Sequence, residues 1–240
     1  MGSTDYSSAE TTWKLHGLCP DFYGLIAGPV SAARELAYCC GPQIEGKTNI
    51  VALLPALRDG VGAYKRMFAD AHIRSRIGIS YDEFMSKGST FLSEDVHREL
   101  CWEIKTHYSQ AELIVAGFCG QWPVLLKVSG DSVCECDDFA VVGSGTPVAE
   151  SSLLHRSQNM HNSIDLTVYQ VYEAKRLAEK SPGVGKVTKL AVFFPGRKFQ
   201  YVLQAGFKKL EEQFENFGPQ TVTLRNLPED TLTARLPQGE

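Results

Sequence analysis

Three strand-like runs, ELIVAGFCG (112–120), WPVLLKVSG (122–130) and VCECDDFAVVGSG (133–145), follow one another with only short glycine-containing turns between them. A turn of hairpin length folds the chain back beside itself, whereas a parallel neighbour needs a crossover of about a dozen residues or more. The three runs are therefore read as consecutive antiparallel strands. A helical block precedes them: VSAARELAYCC, then IVALLPALRDGVGAYKRMFADAHIRSRIG, then SEDVHRELCWEIKTHY. A helical pair follows, from about Val148 to Lys180. Helices gathered between blocks of hairpin-connected strands do not alternate with parallel strands, which excludes a doubly wound sheet. The expected fold class is α+β, a four-layer αββα sandwich with two antiparallel sheets inside and helices on both outer sides.

Local signals set the boundaries. Ser93 stands before Glu94 and Asp95 and an apolar spacing of Val96, Leu100 and Ile104, the pattern of a capped amphipathic helix. Ser163 caps SIDLTVYQVYEAKRLAEK, and Ser181-Pro182-Gly183 stops it. Thr11 to Leu18 and FYGLIA (22–27) read as an N-terminal strand pair, closed by Gly28 and Pro29. KLAVFFPG and FQYVLQAG read as a second hairpin, and FKKLEEQFENFG as a last helix. One domain is expected over 11–218. Residues 1–10 read as a polar leader or a broken loop, and 219–240 as an extended tail.

At 240 residues and 43% hydrophobic, the chain has enough apolar content for one sizeable core. A net charge of -4 leaves no basic surplus to neutralise phosphates, so no nucleic-acid or anionic-membrane partner is expected. There is no signal peptide and no apolar run near the length of a membrane span, and the expected location is the cytoplasm. The seven cysteines are odd in number and mostly embedded in apolar runs, which reads as reduced, buried thiols. Cys134 and Cys136 lie two apart in a strand-like run, on one sheet face. No second Cys or His pair stands at zinc-finger spacing, and neither a metal nor a cofactor is expected.

The stretch VVGSGTPVAES (141–151) sets two glycines, the Ser144 and Thr146 hydroxyls and a proline between an apolar run and a helical one. Structurally this is a strand-to-helix turn with Pro147 at the helix start. In order and relative spacing, ELIVAGFCG, FAVVGSGTPVAES and VYEAKRLAEKSPGVGKVT resemble the second half of a proteasome-type subunit of the N-terminal nucleophile hydrolases. TTWKLHGL and FYGLIAG resemble that family's lysine-bearing strand and the strand ending at its oxyanion glycine, so the likeness covers roughly 11–206. The resemblance implies threonine-type peptide-bond hydrolysis. Lys14 would lower the nucleophile's pKa, the Gly28 N–H would hold the tetrahedral oxyanion, and Ser144 of the G-S-G turn would support the nucleophile's amine. The implied partners are a peptide or protein substrate and further copies in a ring.

The sequence departs from the family pattern in two places. The turn SPGVG has Ser181 but no acid, and only thirteen residues precede Lys14, so the strand headed by the family's threonine is absent as written. Thr11 follows Glu10 rather than the glycine that self-cleavage wants, and it does not have Lys14 or Gly28 at family distance. MGSTDYSSAE instead resembles the polar loop just after the family's second strand, which would make Met1 internal to a longer protein and the sandwich incomplete at its N-terminal edge. The expectation is a subunit inactive as written; the alternative is a non-catalytic structural subunit of a ring. Phe84, Met85, Phe91 and Trp102 are read either as ring contacts or as core.

Overall fold

The structure, a computed structural model, describes residues 13–106, 111–130, 132–196 and 199–219. The polar start, with Thr11 and Thr12, and the tail beyond 219 lie outside the described residues. The described residues fall into two compact units divided between Val202 and Leu203. The second holds one helix, α7 (Gln204–Phe217).

The fold is α+β, and the larger unit is organised by a five-stranded antiparallel sheet in the order β1 (Leu15–Cys19), β2 (Phe22–Ala27), β3 (Glu112–Cys119), β4 (Trp122–Ser129), β5 (Ser132–Glu135). Spatial order equals chain order: hairpin turns join β1 to β2 and β3 to β4 to β5, while β2 and β3 pair across a long insertion. The helical block is inserted between the adjacent strands β2 and β3: α1 (Val30–Ile44), α2 (Ile50–Ile77), α3 (Tyr81–Phe91) and α4 (Glu94–Thr106). Strand alternation sends Phe22, Ile26, Leu113, Val115, Val124, Leu126, Val128 and Val133 to one face, where they form a core with Ala33, Leu36 and Cys40 of α1 and Leu53, Leu57 and Val61 of α2. At about 1.5 Å per residue, α2 is roughly 42 Å long and outruns that core. Its far half places Ile73 in a separate cluster with Phe84 and Leu100.

The opposite sheet face meets different elements. Tyr23 packs against Phe193 and Phe199, with ring centroids 4.8 and 5.1 Å away, and Lys127 pairs with Glu150 at 3.6 Å. Glu150 belongs to α5 (Thr146–His155), which forms an antiparallel hairpin with α6 (Ile164–Ala178). Phe193 and Phe199 flank a second sheet of two strands, β6 (Ala191–Val192) and β7 (Gln200–Tyr201).

The two expected serine caps form: the Val96 N–H donates to Ser93 Oγ at 3.4 Å and the Leu166 N–H to Ser163 Oγ at 3.3 Å. Other boundaries move. The third strand of the central hairpins ends at Glu135 instead of running to 145. Asp138 accepts the Met160 N–H, and Phe139 and Val141 pack against Ala149, Leu153, Ala174 and Ala178, so this apolar run is buried by the α5–α6 hairpin rather than by strand pairing. The last hairpin keeps two residues per strand, and α7 starts at Gln204, three residues ahead of the expected Phe207.

The cysteines are corrected in part. All seven are free thiols, but only Cys40 and Cys119 are buried, while Cys101 and Cys134 are exposed. Of the four apolar residues left between core and contact surface, Phe84 is fully buried, whereas Met85, Phe91 and Trp102 are 60%, 51% and 63% exposed.

Candidate functional site

At the end of β2 the chain must leave the sheet and enter α1 at once. Gly28 makes this turn with φ +91°, a left-handed conformation that a side chain would strain, and Pro29 leads into the helix. Beside it, Glu112 opens β3 in register with Ala27 and across from Ser129 of β4. The Glu112 carboxylate accepts two hydrogen bonds, from the Ser129 hydroxyl at 2.8 Å and from the Gly143 N–H at 2.7 Å.

That second bond draws the G-S-G turn to the end of β2. Gly143 has φ +96°, and a Cβ placed on it would lie 3.3 Å from the Ala27 Cβ. On the other side, a Cβ on Gly145 would lie 2.9 Å from the Ala178 Cβ and 3.0 Å from Val184 Cγ2. The two glycines let the turn sit between the end of β2 and the end of α6, with Ser144 exposed at its apex. The Thr146 N–H closes the turn on the Gly143 carbonyl at 3.1 Å, and α5 starts there with Pro147 in its first turn.

Lys14 reaches the same end of the sheet along β1. Its carbonyl accepts the Ile26 N–H at 2.9 Å, two residues before Gly28, and its side chain is exposed. The backbones of Lys14, Gly28 and Ser144 thus gather around the last residues of β2. Among the described residues no hydrogen bond or ion pair joins the three.

Two helices begin here, α1 after Pro29 and α5 after Gly145, and neither has a side-chain cap. Uncapped first-turn N–H groups and the positive ends of two helix dipoles favour negative charge at this place. Chemically, the arrangement suits an oxyanion. The thiols are poorer candidates for the nucleophile: burial pushes Cys40 up to about 12 and raises Cys19, Cys39, Cys119 and Cys136 as well. Among the described residues no group of three or more His, Cys, Asp or Glu could hold a metal ion.

Two acids escaped the sequence reading. Glu112 looks like an ordinary polar strand start, and only the long-range pairing of β2 with β3 gives it a role. Glu179 sits at the C-cap of α6, two residues before Ser181, with its side chain 11% exposed. Its Oε1 accepts from Lys175 Nζ at 2.7 Å and from the Thr188 hydroxyl at 3.3 Å, and Lys175 also donates to the Gly185 carbonyl. The SPGVG turn is therefore tied to an acid just upstream of it. The i,i+4 spacing of Lys175 and Glu179 was the available signal.

Compared with protein-family models and with curated proteins, the chain matches none.

Proposed function

We propose that the chain is a proteasome-type subunit of the N-terminal nucleophile hydrolases, built for threonine-type peptide-bond hydrolysis. One observation carries this reading: Gly143 rests against Ala27, with Glu112 bonded to its N–H, which puts the G-S-G turn beside Gly28 although 116 positions separate Gly28 from Ser144. The five-stranded sheet would be one inner layer of the four-layer sandwich, with α1 and α2 outside it. The β6–β7 sheet would belong to the second inner layer, with α5 and α6 outside that. In this reading the Gly28 N–H and the start of α5 hold the tetrahedral oxyanion, Lys14 stabilises the anionic form of a threonine nucleophile, and Ser144 supports its amine.

The test is turnover of a mixed set of fluorogenic peptides, together with labelling by a threonine-directed covalent inhibitor. Both are run on the 240-residue chain and on a form extended through any in-frame codons upstream. The expected result is silence from the 240-residue chain, because Lys14 and Gly28 then have no threonine oxygen to act on, and turnover from an extended form headed by threonine. A covalent adduct on Ser144 or on a cysteine would overturn the assignment of roles.

The second reading, a structural subunit of a ring, is favoured by the exposure of Met85, Phe91 and Trp102 on or beside α3 and α4. Light scattering coupled to size-exclusion chromatography tests for the ring that both readings imply, and the activity of the extended form separates them. A multimer that stays inactive in the extended form supports the structural role.

A further inference from the structure

Away from that site, the outer side of β1 and the flank of α1 enclose a groove of about 390 Å³. Its walls are His16 and Gly17 on the strand and Arg34 and Tyr38 on the helix. Its floor is where α1 touches β1, at Gly41, whose added Cβ would lie 2.6 Å from the Leu18 carbonyl oxygen.

Three features of this groove are unspent. First, β1 is an edge strand, and among the described residues nothing pairs with its outer side. Because the Lys14 carbonyl bonds to Ile26 and His16 stands opposite Gly24, the alternation of an antiparallel ladder turns the N–H and C=O groups of Leu15 and Gly17 outward. Gly17 has open space around it, with nothing within 4 Å of an added Cβ. Second, His16 Nε2 is buried without a hydrogen-bond partner, a state that costs free energy until a ligand or water satisfies it. Third, Arg34 is exposed and makes no ion pair among the described residues, and the Lys14 ammonium is exposed at the start of the same strand. Tyr38, 72% exposed, offers an aromatic wall one helical turn beyond Arg34.

We propose that this groove binds an extended acidic peptide segment as an added strand. The peptide backbone pairs with the outward groups of Leu15 and Gly17, and an Asp or Glu side chain enters the groove between His16 and Arg34. Backbone pairing supplies affinity, and the carboxylate supplies selectivity, since Arg offers a fork that a carboxylate accepts and the imidazole Nε2 can donate alongside it. The site lies on the outer side of β1 and shares Lys14 with the hydrolase reading, but its test reads peptide binding rather than hydrolysis, so the two readings fail separately.

The test uses the full chain and fluorescence anisotropy of a labelled pentapeptide with a central glutamate flanked by valines and terminal threonines. Saturable binding with Kd below about 1 mM is expected. Loss of about tenfold or more is expected when the glutamate becomes lysine, when alternate peptide nitrogens are methylated, or when the protein carries Arg34→Ala. His16→Ala should weaken binding in the same direction. Arg34 is exposed, so its variant is expected to melt like the parent. Equal binding of the glutamate and lysine peptides, unchanged binding to Arg34→Ala, or no binding at 1 mM overturns the proposal. Competition by free N-acetylglutamate as strong as by the pentapeptide also overturns it, because the groove would then be a small-anion site with no use for the strand edge.

Discussion

Replacing Arg156 by alanine would strand a buried carboxylate. Glu173 has a side chain only 1% exposed, and Arg156, just past the C-terminus of α5, meets it with two parallel bonds, Nε to Oε2 at 2.9 Å and Nη2 to Oε1 at 2.8 Å. The Arg156 carbonyl also accepts from Gln170 Nε2, and Gln170 Oε1 accepts from Asn162, so the pair anchors the polar turn between α5 and α6. Removing one partner of such a pair costs about 3–5 kcal/mol, because the remaining charge keeps its desolvation penalty without its compensation. Arg156 itself is 32% exposed, so water can partly follow the truncated side chain and the lower end, about 3 kcal/mol, is expected. In a chain of this size that lowers Tm by roughly 6–12 °C. Urea unfolding followed by far-UV circular dichroism at pH 7 measures it. The double variant Arg156→Met with Glu173→Met should recover most of the loss, since apolar side chains of similar volume leave no charge behind. A loss below about 1 kcal/mol in the single variant, or a double variant no better than Arg156→Ala, would refute the reasoning.

Glycine positions give a paired test: Gly117→Ala would place a Cβ 2.1 Å from the Asp21 carbonyl oxygen and should cost more than about 2 kcal/mol in the same urea assay, while Gly17→Ala, with open space around it, should be near neutral. Acid stability should depend on Glu103, which bonds with Arg76 and His72 hold at about 2, below its ordinary carboxylate value of 4.5. Between those two values the unfolded chain binds the extra proton, so stability present above pH 4.5 falls as pH drops toward 2, and Glu103→Gln should flatten that part of the pH profile. Thiol labelling under native conditions should modify Cys101 and Cys134 quickly, and Cys40 only on unfolding, as read by peptide mass mapping.

Much of the fold was legible because its signals are local. The turns between β3, β4 and β5 fix antiparallel order whatever the rest of the chain does, and the Ser93 and Ser163 caps depend on side chains within three residues of their targets. Where burial comes from a distant element, the same signals misled. FAVV (139–142) is apolar enough for a strand, yet the surface that covers Phe139 and Val141 belongs to α5 and α6, so the run needs no pairing partner. Cys101 was misread for a different reason. Leu100 is buried and Ile104 packs beside it, and a residue one position on from Leu100 turns about a quarter of the way round the helix, which leaves Cys101 exposed.

The candidate site divides along the same line. Lys14, Gly28 and Ser144 came from segment order and spacing, and each is positioned by a feature visible in sequence: a strand start, a strand end before proline, a glycine-flanked turn. What sets the distance between the two loops is Glu112, a strand-start acid with no local signature, because its carboxylate reaches the Gly143 N–H only once β2 and β3 have paired across the whole helical block. The arrangement therefore depends on long-range strand pairing rather than on a local signal. The turn bearing Ser144 is held on one side by a charged hydrogen bond and on the other by the packing of Gly145 against Ala178, and loss of either leaves an exposed, glycine-flanked serine free to drift from the end of β2 while the sheet itself stays intact.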